Sequence, residues 1–225
     1  MEDQIAPAAY REHQLGGLVR GAGMALAVGG LLFVAATVLH PSQETPTTIL
    51  ETEPRLVGSH AVYIVAYVLI LFGLPAVYAM KPEDLGRSGL IGFLTTFTGT
   101  ALLAISSQFG FIAPVLAQDA PRTLDQIPLY EPVVVFNGIA AVSFMAGFVM
   151  LGSALTTSRV FPRLSGILIA VGAPLHLVGF GIAQLVSPPL WFVAVLGSVA
   201  LGSGLAWCGY SMWAEKDSPP PSQDA

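Results

Sequence analysis

Six runs in this chain, residues 21–40, 60–80, 89–117, 133–157, 164–186 and 189–213, contain no Asp, Glu, Lys or Arg. A bilayer core about 30 Å thick is crossed by about 20 apolar residues at helical rise, and every run is long enough. Inside lipid each backbone N–H and C=O must be bonded within the protein, which leaves helices or closed barrels. A barrel would show alternating segments of about ten residues, and these runs do not alternate. The expected fold is all-α: a polytopic transmembrane bundle of six helices, arranged as three antiparallel hairpins.

Basic residues set the expected direction of each helix. Arg11, Arg20, Lys81, Arg87, Arg159, Arg163 and Lys216 fall on one side of such a bundle, and Arg55 and Arg122 on the other. The side rich in Lys and Arg is normally cytoplasmic, so both termini are expected there. Residues 1–20 then form a short cytoplasmic segment, 21–213 the membrane domain and 214–225 a disordered cytoplasmic tail rich in proline and serine. The two longer connections, 41–59 and 118–132, face outward. Pro75, Pro114 and Pro174 lie within spans and are expected to kink them, or in the case of Pro114 to mark an outer end. Ser187-Pro188-Pro189 makes the last hairpin turn tight.

Composition removes several classes of function. Charged residues are 10% of the chain and net charge is −5, with no basic cluster of the kind nucleic acid requires. One cysteine, Cys208, excludes an internal disulfide and a CxxC site. No nucleophile elbow, His-Glu-x-x-His or phosphate loop is present, so no catalytic residue is assigned and an enzymatic role would require a bound cofactor. Proton-coupled transport usually places a carboxylate or lysine within the bundle, and the runs hold neither. Arginine followed by small residues opens the first, third and fifth runs (Arg20-Gly21, Arg87-Ser88-Gly89, Arg163-Leu164-Ser165-Gly166). Three related hairpins would give this pattern, and so would interfacial arginine with packing glycine, the simpler reading. Ser198, Gly202 and Ala206 recur every four residues, a spacing that brings helix backbones close.

The polar residues inside the spans are few. His40 ends the first run and His60 opens the second, so the two should meet across neighbouring antiparallel helices on the outer side. His176 lies twelve residues into the fifth run, about 18 Å from its start at 1.5 Å per residue. Gln108 and Asn137 also fall in the outer half. Imidazole binds haem iron, zinc and copper. The expected site is therefore an outer-half pocket with His40, His60 and His176 as cofactor ligands, Gln108 and Asn137 as its polar wall, and haem b as the first cofactor to test. Alternatively, His40 and His60 hold a metal ion with help from Glu44, Glu51 or Glu53. Two other functions fit the same composition: a small-molecule or lipid transporter or binding protein, and a non-catalytic subunit of a membrane complex. The expected partners are the lipid bilayer and either another membrane subunit or a second copy of the chain.

Phe161-Pro162-Arg163-Leu164-Ser165-Gly166-Ile167-Leu168 resembles a helix opening of uncharacterised bacterial membrane proteins with six or more spans. Leu39-His40-Pro41 followed by a histidine opening the next span, His60, is similar to the same group. The resemblance covers these short segments alone. It implies a multi-pass protein of a prokaryotic plasma membrane and assigns no residue a role.

Overall fold

The computed structural model describes residues 5–158 and 160–214, with side chains from residue 16 onward. Arg159, Lys216 and the tail beyond residue 214 lie outside it. Its helices are α1 (Ile5–Leu39), α2 (Pro46–Glu51), α3 (Glu53–Ala79), α4 (Pro82–Ser106), α5 (Phe109–Asp119), α6 (Pro121–Gln126), α7 (Glu131–Thr157), α8 (Arg163–Leu185) and α9 (Trp191–Ala214). No strand occurs among the described residues. Six candidate spans result, with α4 and α5 forming one broken span over Pro82–Asp119. The expected all-α bundle of six membrane-crossing helices is the observed fold. The segment expected to precede the first span is itself helical from Ile5 and runs into that span without a break.

The spans form a ring. Each packs against the next in sequence, α1 on α3, α3 on α4, α4 on α7, α7 on α8 and α8 on α9, and α9 returns to α1. Lipid is as apolar as leucine, so helices associate in a membrane through close packing rather than hydrophobic burial. Glycine supplies that closeness where the ring closes. A β-carbon on Gly30 would lie 2.6 Å from the Gly202 carbonyl oxygen, and one on Gly23 would lie 2.6 Å from that of Gly209. Both pairs are spaced by seven residues, two helical turns, so one seam of α1 meets one seam of α9. Large apolar side chains outside the seams, such as Leu31, Phe72, Leu94, Val142, Val171 and Leu196, face outward.

Aromatic rings fill the centre. Phe33 of α1 stacks on Phe144 of α7 with centroids 6.2 Å apart, and Tyr67 of α3 meets Phe144 edge-on at 6.5 Å. The His176 ring lies edge-on to Phe33 at 4.7 Å. These contacts cross the ring, linking spans that are not neighbours around it.

The two outward connections are largely helical rather than loops. Thr45 caps α2 by a reciprocal capping box with Thr48, and Pro46 occupies the first turn, where a missing N–H costs nothing. Pro121 opens α6 in the same way. Ile49, Leu56 and Leu124 of these segments bury against Ala113 and Ala117 of α5. That second small core caps the end of the bundle bearing His40 and His60. Because α3 begins at Glu53, His60 sits two turns inside it rather than at its start.

The third span breaks at Ser107-Gln108, ahead of Pro114. There the ladder changes from i−4 to i−3 partners: Ser107 N–H bonds Leu103 at 2.9 Å, but Gln108 bonds Ile105 at 3.2 Å and Phe111 bonds Gln108 at 3.1 Å. Pro114 lies inside α5. At the other end of this span Gly86, with φ +59°, takes a left-handed turn that separates its first residues from the straight helix.

The glycine seam yields a direct expectation. Gly30→Val should destabilise the detergent-solubilised protein by about 1–3 kcal/mol, the cost of overpacking. Gly138→Ala, at a position with open space around it, should stay within about 0.5 kcal/mol of the parent. Thermal unfolding of both variants tests the contrast, and equal melting temperatures would refute the seam.

Candidate metal centre

His40 follows directly on the last residue of α1. Pro41 cannot continue the helix, so the chain turns away and its carbonyl is free of the ladder. The His40 Nδ1 donates to that carbonyl at 2.7 Å. The break in the third span leaves the Ser107 carbonyl with only a long 3.4 Å bond from the Gly110 N–H. The His60 Nδ1 donates to this Ser107 carbonyl at 2.8 Å. A carbonyl oxygen only accepts, so both protons are assigned to Nδ1 by the chemistry of the partners. In the neutral imidazoles both Nε2 atoms then carry lone pairs.

Those two Nε2 atoms face each other 3.2 Å apart. The carboxylate Oε1 of Glu44 lies 3.1 Å from the His40 Nε2. One ligand atom from each of His40, Glu44 and His60 falls within 4.8 Å of the others. Three electron-rich atoms at this distance repel unless a cation lies among them. A metal ion bound there would supply that cation.

The side chains are held firmly. His40 is 1% exposed and His60 8%. The His40 ring stacks on Trp191 with centroids 5.3 Å apart and planes at 21°, and Phe180 and Tyr63 close two more sides. The His60 ring lies against the backbone of Gly110, where a β-carbon would collide with the imidazole. Arg55 of α3 donates from its guanidinium to the carbonyls of Leu39 and His40, satisfying the end of α1 and complementing its dipole. Glu44 is four residues beyond His40, and its backbone N–H donates to Gln184 Oε1 of α8 at 3.2 Å. Its side chain is 23% exposed.

The geometry matches a small ion. Zinc bonds to nitrogen and carboxylate oxygen are about 2.0–2.2 Å, which puts tetrahedral ligand atoms about 3.3 Å apart; the observed separations are 3.2 and 3.1 Å. Ligating histidines ordinarily donate their second nitrogen to a carbonyl or carboxylate, as both do here. A haem with His40 and His60 as axial ligands does not fit this arrangement. The porphyrin would have to lie between two Nε2 atoms 3.2 Å apart, one of them already 3.1 Å from Glu44 Oε1.

The residues named from sequence separate into two groups. His40 and His60 meet as expected, and among the three acids of that connection it is Glu44 that joins them. His176 does not reach the cluster; it is buried and its Nδ1 donates to the Ala194 carbonyl at 3.1 Å. Gln108 and Asn137 are exposed and form no wall around the site; Asn137 accepts instead from the Ser106 hydroxyl at 2.9 Å. Depth along a helix places a residue in one half of a membrane but leaves its direction around the axis open. Gly110, Arg55, Gln184 and Trp191 were not read as parts of this site. The one available signal was Trp191 beside the tight last turn, on the same side as His40.

No family model, curated protein or solved structure matches this chain.

The Glu44 carboxyl is held below its ordinary value of 4.5: burial pushes it up, but the hydrogen bond and charge of His40, with the charge of His60, outweigh burial. A lowered folded-state pKa contributes stability above the ordinary value, lost as pH falls through the folded one. With metal stripped by chelator, Glu44→Gln should be less stable than the parent at pH 7 by about 1–3 kcal/mol. The gap should close as pH falls below about 4. Thermal unfolding across pH measures it, and a gap independent of pH would contradict the ion pair.

Proposed function

We propose that this chain is a multi-pass plasma-membrane protein of a prokaryote that binds one divalent transition-metal ion, zinc first, at His40, Glu44 and His60. The observation carrying this reading is the convergence of two unprotonated Nε2 atoms and a carboxylate, with each Nδ1 proton committed to a backbone carbonyl. Two imidazoles and a carboxylate suit zinc above the harder cations, which prefer all-oxygen sites. The seven-to-two division of Lys and Arg supports an extracytoplasmic position for the site. A resident ion would join α1, the turn before α2, and α3, so binding would also stabilise the capped end.

The haem reading loses its support to the short distance between the imidazoles. The transporter reading gains none from a ring centre filled by Phe33, Tyr67 and Phe144.

Metal analysis of the purified protein tests the proposal. After chelation and Zn²⁺ titration against a competing chelator, the parent should bind about one ion per chain, as a three-ligand site predicts. His40→Ala and His60→Ala should each abolish binding. Gly110→Ala, which displaces the His60 ring without touching a ligand atom, should weaken it about 10–100-fold, the range for supporting residues of metal sites. Stoichiometric binding that survives both histidine variants would overturn the assignment. A Soret band at one haem per chain would restore the haem reading in its place.

A further inference from the structure

The three ligands leave a divalent ion incomplete. Zinc sites with two histidines and one carboxylate keep a fourth position for water or substrate. One carboxylate against a doubly charged ion leaves one positive charge at a largely buried site, and burying uncompensated charge is unfavourable. The ion would therefore favour a singly charged anion as its fourth ligand.

The adjoining hairpin supplies matching donors. Gln184, near the end of α8, is fixed by its Oε1, which accepts the Glu44 backbone N–H at 3.2 Å. Its Nε2 thus lies beside Glu44, and that nitrogen is buried without a hydrogen-bond partner. Trp191, the first residue of α9, stacks on the His40 ring at 5.3 Å. Its Nε1 is likewise buried without a partner. Buried N–H donors are nearly always paired. These two lie on either side of one tight turn and flank two of the three ligand residues.

We propose that the fourth position of the ion is exchangeable and takes a small carboxylate, one oxygen on the metal and the other accepting from Gln184 Nε2 and Trp191 Nε1. This inference rests on the metal reading above. It turns the site from a structural clip into a binding site for small carboxylic acids entering from the His40–His60 end of the bundle.

Co²⁺ replaces zinc in such sites and reports its ligands in the visible spectrum. The full chain in detergent, loaded with Co²⁺, should show a saturable change in its visible bands on titration with acetate. Trp191→Phe keeps the ring stacked on His40 but removes the donor, and Gln184→Leu removes the other. Once loaded with Co²⁺, each should need about tenfold more acetate than the parent, the loss of one hydrogen bond to a charged group. Co²⁺ bands that acetate leaves unchanged would overturn the inference and leave the metal reading standing. Variants that both titrate like the parent would do the same. If no Co²⁺ bands form before acetate is added, the metal reading itself fails, and this inference with it.

Discussion

A backbone carbonyl left outside the helix ladder and buried away from water must find a donor in the protein. Two such carbonyls organise this molecule's capped end. Pro41 ends α1 and frees its own carbonyl; the break at Ser107-Gln108 weakens the bond to another. Each is satisfied by the Nδ1 proton of a histidine, at 2.7 and 2.8 Å. Committing both Nδ1 protons turns both Nε2 lone pairs toward one point, and the turn after Pro41 brings Glu44 to it. The proposed metal centre thus follows from satisfying the backbone.

The ring of helices makes that arrangement rigid. Glycine on α1 and α9 allows backbone-to-backbone contact where the first and last spans meet. Phe33, Tyr67 and Phe144 tie spans across the centre. His40 sits where α1, α3, α8 and α9 converge, touching His60, Tyr63, Phe180 and Trp191. A small displacement of any of these helices would move an imidazole by an appreciable part of a metal–ligand bond. Close packing of the spans therefore supports the ligand geometry directly.

The spans were legible in the sequence because lipid imposes one demand, apolarity over a fixed length, that leaves a plain trace. The meeting of His40 and His60 was legible for a related reason: short connection and antiparallel packing make consecutive helices neighbours. The helices within residues 41–59 and 118–132 were not foreseen, since their signals are single prolines and threonines in otherwise polar segments. His176, Gln108 and Asn137 were grouped by depth alone. Depth is a function of residue number, whereas direction around the helix depends on packing and on the break at Ser107. Glu44, Glu51 and Glu53 could not be ranked from sequence, because what selects Glu44 is the turn that Pro41 and the Thr45 cap impose.

X-ray absorption at the zinc edge of the metal-loaded protein examines the centre most directly. The account predicts a first shell of nitrogen and oxygen at about 2.0–2.1 Å, with outer-shell scattering from two imidazole rings. A shell containing sulfur, a single imidazole, or the pattern of a fully hydrated ion would contradict it.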